Sequence, residues 1–240
     1  MSARPTTTTI LEPCRGERVV VERMTGRAPS YVFLHGLGSV RAGEKSGALL
    51  AHAAARGRAF TRFDFRGHGE STGTIGEVTM SELLVDASLV LDLVGPSILV
   101  GSSLGALVAA HVAAARPQDV KGLALLAPAF GFLPRMRQRL DAAGRMQTSE
   151  GLVFAVHERA LVDAANHDEG SLPSRLPMPV FLAHGTDDDL VPTALSQSFF
   201  NKIPHAQKDL WIVPGGNHRL NREIGDILTR MDILFTGAGL

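Results

Sequence analysis

Apolar residues along the chain fall into two alternating kinds of run. Short stretches rich in β-branched and aromatic residues, often closed by glycine, predict strands: "RVVVERM" (18–24), "SYVFLHG" (30–36) and "AFTRFDF" (59–65). Longer stretches with apolar positions three and four apart predict helices: "SGALLAHAAARG" (46–57), with Gly57 placed as its C-terminal cap, and "MSELLVDASLVLDLVG" (80–95). Further on, "SILVGS" (97–102), "VKGLALLAP" (120–128) and "MPVFLAHG" (178–185) are almost uninterruptedly apolar, as strands are when helices cover both faces of a parallel sheet. "KDLWIVPGGNH" (208–218) reads as a last strand and loop, and "NREIGDILTRMDILF" (221–235) as a closing helix.

Strands and helices that alternate over the whole length predict an α/β fold with a mostly parallel central sheet flanked by helices, built as one domain over residues 1–240. Residues 131–176 interrupt the alternation with two consecutive helical patterns, "LPRMRQRLDAAGRM" and "SEGLVFAVHERALVDAAN", and no clear strand. They predict a small helical cap or lid inserted into the domain. Only one clear strand, "RVVVERM", precedes "SYVFLHG", and the opening "MSARPTTTTI" reads as a short disordered tail.

In an open α/β sheet, ligands belong at the carboxyl ends of the strands. The conspicuous polar motifs all fall there: His35-Gly36-Leu37-Gly38, Asp64 with Gly67-His68-Gly69, Gly101 to Gly105, Asp187-Asp188-Asp189, and His218. Gly101-Ser102-Ser103-Leu104-Gly105 has the G-x-S-x-G form of a nucleophile elbow, a sharp strand-to-helix corner that exposes the central serine. Glycines two residues either side of Ser103 suit a turn too tight for neighbouring β-carbons, and the following helix start supplies amide donors and a positive dipole end. No G-x-G-x-x-G or phosphate-loop pattern is present.

A serine hydroxyl needs a base, and the base an orienting carboxylate. Three aspartates follow one strand and His218, in a glycine-rich loop, follows the last, so the chain offers Ser, acid and His in that order. His35 and His184 each precede a glycine at a strand end and read as structural, and His68 reads as a rim residue bonded to backbone. No His or Cys spacing implies a metal, and no cofactor motif appears.

Composition narrows the picture further. With 24 basic and 24 acidic residues the formal charge is zero, so nucleic acid and anionic membrane surfaces lose their electrostatic argument. No apolar run reaches the roughly 18–20 residues of a membrane span, and the N-terminus lacks the apolar core of a secretory signal. Cys14 is the one cysteine, which excludes an internal disulfide and predicts a reducing, cytoplasmic setting.

Taken together, "FLHGLGS", "RFDFRGHGEST", "LVGSSLGALVAAHVAAARP", "FLAHGTDDDLVP" and "GGNHRL" resemble the α/β-hydrolase superfamily, in its order and over nearly the whole chain, with a nearer likeness to its palmitoyl-protein thioesterase branch. The resemblance implies Ser103, Asp188 and His218 as a catalytic triad, and the backbone amides of Leu37 and Leu104 as an oxyanion hole. It implies hydrolysis of carboxylic esters or thioesters through an acyl-enzyme, with a small molecule or an acylated protein as substrate. Asn217 departs from the aspartate common before the catalytic histidine. Phe130, Phe132, Leu133 and Phe154, with Leu152 and Leu161, are candidates for an acyl pocket or else pack the cap onto the core, and Arg135, Arg137, Arg139 and Arg145 form a charged helix face or a guide for an anionic group. A ligand receptor on the same fold, a carbon–carbon bond hydrolase and an acyltransferase stand as alternatives.

Overall fold

A computed structural model describes residues 5–240. In chain order the strands are β1 (Thr6–Leu11), β2 (Val19–Met24), β3 (Arg27–Leu34), β4 (Arg58–Phe63), β5 (Ser97–Ser102), β6 (Val120–Leu126), β7 (Arg145–Gln147), β8 (Val153–Ala155), β9 (Val180–Gly185) and β10 (Lys208–Val213). The helices are α1 (Glu44–Ala55), α2 (Met80–Val94), α3 (Leu104–Ala115), α4 (Glu158–Ala164), α5 (Thr193–Asn201) and α6 (Ile224–Gly237). Eight strands form one sheet in the order β1-β2-β4-β3-β5-β6-β9-β10. Pairing is parallel from β4 through β10, and antiparallel where β2 meets β4 and β1 meets β2.

The apolar runs of the central strands serve two cores at once. In β3, Val32 and Leu34 pack with α2 and α3 while Tyr31 and Phe33 pack with α1 and α6. The same alternation sends Leu99, Leu123, Leu125, Val180 and Leu182 to the first face, and Ile98, Val100, Ala124, Leu126, Phe181 and Ala183 to the second. A period of two with both faces covered leaves no polar position, which is why these strands carry no alternation in the sequence. Helix α3 is buried almost all round, and its alanines let it lie close against the sheet. Thr79 and Glu82 close a reciprocal capping box at the start of α2.

Three sequence expectations are corrected. The first four residues lie outside the described ones, but the threonine run beyond them is not a tail: Thr6–Leu11 is an edge strand in register with Val19–Met24. Threonine is β-branched and suits a strand whose side chains are largely solvated, as these are. Both antiparallel strands are therefore present at this end of the sheet. The segment 131–176 is also not a pair of long helices: it runs as a 3-10 turn (Leu133–Arg139), the β7–β8 hairpin and the seven-residue α4. Gly144 and Gly151, at φ 71° and 84°, turn the chain out of helical geometry, and "VFA" pairs with "RMQ" instead.

Gly105 shows how tightly α3 is pressed to the sheet, since a β-carbon there would sit 2.2 Å from the Leu34 carbonyl oxygen and 2.4 Å from that of His35. Backbone at both sites leaves nothing flexible to give way, so Gly105→Ala is expected to lower the urea midpoint by the equivalent of about 1–3 kcal/mol or more. A variant as stable as the parent would contradict this packing.

Candidate active site

Strand β5 ends at Ser102, and α3 begins at Leu104, so the whole change of direction falls on Ser103. Its backbone lies at φ 54° and ψ −117°, a region that costs a non-glycine residue about 1–3 kcal/mol. Gly101 and Gly105 permit the corner, because a β-carbon on Gly101 would meet Ala106 Cα at 2.4 Å. The surrounding chain holds the strained residue by bonds from the Ala106, Leu107 and Ala129 amides to the Ser103 carbonyl, and from the Ser103 amide to Leu126 O. Ser102, by contrast, completes the strand and is buried.

The loop after β10 brings His218 to this corner, with Nε2 at 2.9 Å from Ser103 Oγ. Its Nδ1 lies 2.7 Å from Asp188 Oδ2. Because Asp188 can only accept when ionised, Nδ1 carries the proton and Nε2 is free to accept from the serine hydroxyl. The Asp188 side chain is fully buried. Burial pushes its pKa up, but hydrogen bonds from His184, His218 and the Val191 amide outweigh burial and hold it well below the usual carboxylate range. Asp187 and Asp189 are exposed, and Asp187 accepts from the Thr186 hydroxyl.

Sequence reasoning missed the part His184 plays at this carboxylate. Its Nε2 lies 2.8 Å from Asp188 Oδ2 and 3.0 Å from Val191 O, while Nδ1 is 2.6 Å from Ser196 Oγ. With two acceptors at Nε2, that nitrogen carries the proton and Nδ1 accepts from the Ser196 hydroxyl. The other Asp188 oxygen accepts from the Leu190 and Val191 amides at 2.9 Å each. Four donors thus orient one carboxylate, and the four-residue interval from His184 to Asp188 across the turn was the available signal. Asn217 accepts from the Arg219 and Leu220 amides and so shapes the turn that follows His218.

His35 is buried and neutral, its pKa lowered to about 3 by burial and then by neighbouring His68. Its Nδ1–H donates to Gly36 O at 2.8 Å and its Nε2 accepts from the Phe65 amide at 3.1 Å, fixing the loop that carries Leu37. The amides of Leu37 and Leu104 donate to no backbone carbonyl among the described residues. That of Leu104 is the first of α3, at the positive end of the helix. His68 bonds backbone through Arg66 O but is buried, not at a rim.

A cavity of about 240 Å³ opens at Ser103, walled by Leu37, Leu104, Ala129, Phe132, Met146, Leu190 and Val191. Leu37, Leu104 and Phe132 also wall a chamber of about 30 Å³ that continues to Leu133, Phe154 and His68. Of the four predicted pocket residues, Phe132, Leu133 and Phe154 therefore line this space. Phe130 does not: its ring stacks on Phe199 of α5 at 4.1 Å, on the far side of the segment. Leu152 is exposed and Leu161 buried. Arg137 and Arg145 pair with Glu158 and Asp141, whereas Arg139 donates to Leu190 O and lines the cavity.

Among the described residues, no group of three His, Cys, Asp or Glu side chains is gathered for a metal, and no helix is long and apolar enough to cross a membrane.

Residues 29–175 match the family described as serine aminopeptidase, S33. The chain is 32% identical over 220 residues to the mitochondrial palmitoyl-protein thioesterase ABHD10 of Bos taurus, covering 86% of this chain and 72% of that one. Proteins of the same name from Homo sapiens, Mus musculus, Rattus norvegicus and Pongo abelii match at 30–32% identity. The structure of mouse alpha/beta hydrolase domain-containing protein 10 superposes with a TM-score of 0.85 at 26% identity, covering 97% of this chain and 99% of that one. Est1E of Butyrivibrio proteoclasticus shares the fold, with a TM-score of 0.81 at 19% identity over 95% of this chain and 99% of its own. The cytoplasmic setting expected from the lone cysteine is overturned, since all five curated relatives are named mitochondrial and one reduced thiol does not distinguish between compartments. The chain belongs to the serine aminopeptidase S33 family, as an α/β-hydrolase of ABHD10 type, and is a serine hydrolase acting on esters or thioesters.

Proposed function

We propose that Ser103, His218 and Asp188 form the catalytic triad of a fatty-acyl thioesterase. The observation that carries this reading is the unbroken chain of short hydrogen bonds from Ser103 Oγ through His218 to Asp188, ending on a serine held in left-handed backbone geometry. His218 Nε2 takes the hydroxyl proton as Oγ attacks the acyl carbon, and the carbonyl electrons move onto oxygen. The amides of Leu37 and Leu104 receive that oxyanion, each such donor lowering the barrier by on the order of 3 kcal/mol. Collapse breaks the carbon–sulfur bond, and His218 returns the proton to the departing thiolate. Water, deprotonated by His218, then releases the acid and restores Ser103.

Asp188 stays ionised throughout, its charge set by the hydrogen bonds that depress its pKa, and stabilises the imidazolium that forms twice per turnover. The acyl group occupies the cavity between Leu37, Phe132, Met146 and Val191, and residues 131–176 act as the cap that closes over it. The names of the mammalian relatives support a palmitoylated protein or another long-chain acyl thioester as substrate.

Ser103→Ala is expected to abolish labelling by a fluorophosphonate probe that reacts readily with the native parent; failure of the parent to label would sink the proposal. Asp188→Asn, which removes the charge and the tautomer control at His218, is expected to lower kcat by about 10⁴ with the fold retained by circular dichroism. If the small chamber lies on the acyl path, Phe154→Ala should shift preference along a series of p-nitrophenyl esters towards longer chains, by about tenfold or more in relative kcat/KM. An unchanged chain-length profile places the acyl group elsewhere.

A further inference from the structure

Asp188 Oδ2 is the end point of two serine–histidine pairs. One is Ser103 with His218, bonded at 2.9 Å and joined to the carboxylate at 2.7 Å. The other is Ser196 with His184, bonded at 2.6 Å and joined to the same oxygen at 2.8 Å. His184 and Ser196 are fully buried, and neither lines a cavity that Ser103 lines, so the second pair touches no substrate. Its action on the reaction has to pass through Asp188.

A serine inside a helix and turned from water ordinarily bonds the carbonyl four residues back. Ser196 of α5 bonds His184 Nδ1 instead. Its hydroxyl donates there, because the other nitrogen of that ring, Nε2, carries its proton toward Asp188 Oδ2 and Val191 O. Hydrogen bonds in series polarise one another, so donation to Nδ1 makes the Nε2–H a stronger donor to the carboxylate. Two rings thus draw on the charge of a single oxygen. The share taken by His184 is withdrawn from His218, whose imidazolium depends on it.

We propose that Ser196 and His184 are positioning residues that restrain the basicity of His218 through Asp188 and so extend the activity of the enzyme toward acid pH; this rests on the triad reading of Ser103, His218 and Asp188. Burial pushes the Asp188 pKa up, and the hydrogen bonds from His184 and His218, with the His218 charge and the Val191 amide, outweigh it. His184 therefore acts on the carboxylate as directly as the catalytic ring does. The other charged groups around His218 are Glu44 and Lys45 of α1, Glu150 of the β7–β8 turn and Arg219 of its own loop, which line the same cavity of about 140 Å³. Asp187 and Asp189, beside the carboxylate, are exposed. Substitutions at 184 and 196 leave all six in place, so their influence is common to parent and variants.

The test is the pH dependence of kcat/KM for p-nitrophenyl octanoate, read at the acid limb, where His218 must shed a proton before it can act. In His184→Leu the whole Asp188 charge returns to His218, and the limb is expected to move to higher pH by about half a unit or more. Ser196→Ala, which keeps the ring and only weakens its donor, should move it the same way by less. His184→Gln, which retains an N–H for Asp188, should keep the limb close to that of the parent. A pair that merely packed or anchored the loop would lower kcat/KM equally at every pH. An acid limb that stays in place or moves to lower pH in His184→Leu, or in Ser196→Ala should the first variant fail to fold, overturns the inference. Nitrogen NMR of the imidazoles in the parent protein needs no variant: His184 is expected as the Nε2–H tautomer, and a proton on Nδ1 instead would remove its donor to Asp188 and overturn the inference outright. Ser103→Ala separates the two readings. Its turnover should be abolished whatever the acid limbs of the other variants do, whereas turnover equal to the parent's overturns the triad and this inference together.

Discussion

The corner at Ser103 exists because α3 can approach the ends of β3 and β5 more closely than two β-carbons would allow. Gly105 lies against the carbonyls of Leu34 and His35, and Gly101 against the first turn of α3. That approach forces the residue between strand and helix into left-handed geometry, a local cost that the burial of the alanine-rich helix and several main-chain bonds must offset. The same contact sets the neighbours. The loop after His35 is carried to the head of α3, so the amides of Leu37 and Leu104, without a backbone partner among the described residues, come from two elements fixed against each other, not from one flexible loop. Movement of α3 away from the sheet would relax the strain and separate those amides together.

Charge at the site is concentrated on one buried carboxylate. Asp188 has two histidines on a single oxygen and two backbone amides on the other, an arrangement that leaves it no freedom to rotate. His184 differs from His218 in having both ring nitrogens committed, one to Asp188 and Val191 O and the other to Ser196. His218 spends one nitrogen on Asp188 and keeps the other for Ser103. Two imidazoles on one acid thus differ in what lies on their far side.

Much of this was legible from residues alone where a single physical rule governs. Strands covered on both faces must be continuously apolar, so "SILVGS" and "MPVFLAHG" read directly as β5 and β9. G-x-S-x-G marks a corner that other residues cannot make, and the aspartates and His218 follow later strands of the same sheet. Reading failed where packing by distant residues decides. "LPRMRQRLDAAGRM" has helical spacing, yet Pro134 and Gly144 confine it to a 3-10 turn, and Met146 faces the cavity from a strand pairing. Phe130 looks like a pocket residue by position but turns to stack on Phe199, which belongs to a helix that periodicity does not announce, since five of its nine residues are polar. The threonine run becomes a strand only because β2 offers it an edge.

The division between what was read and what was not follows the division of labour in the molecule. Ser103, Asp188 and His218 follow strand ends, where a regular sheet sets their spacing and order. Part of the surface around Ser103 comes from the β7–β8 turn, the head of α1 and the loop behind His218, three segments far apart in sequence. They are joined by pairs such as Lys45 with the Arg219 carbonyl and Arg219 with Glu150, which lie beside Ser103 and His218 without bonding to them. These contacts lie outside the hydrogen-bonded series Ser103–His218–Asp188, so the geometry of that series and the shape of the surface around it rest on different residues.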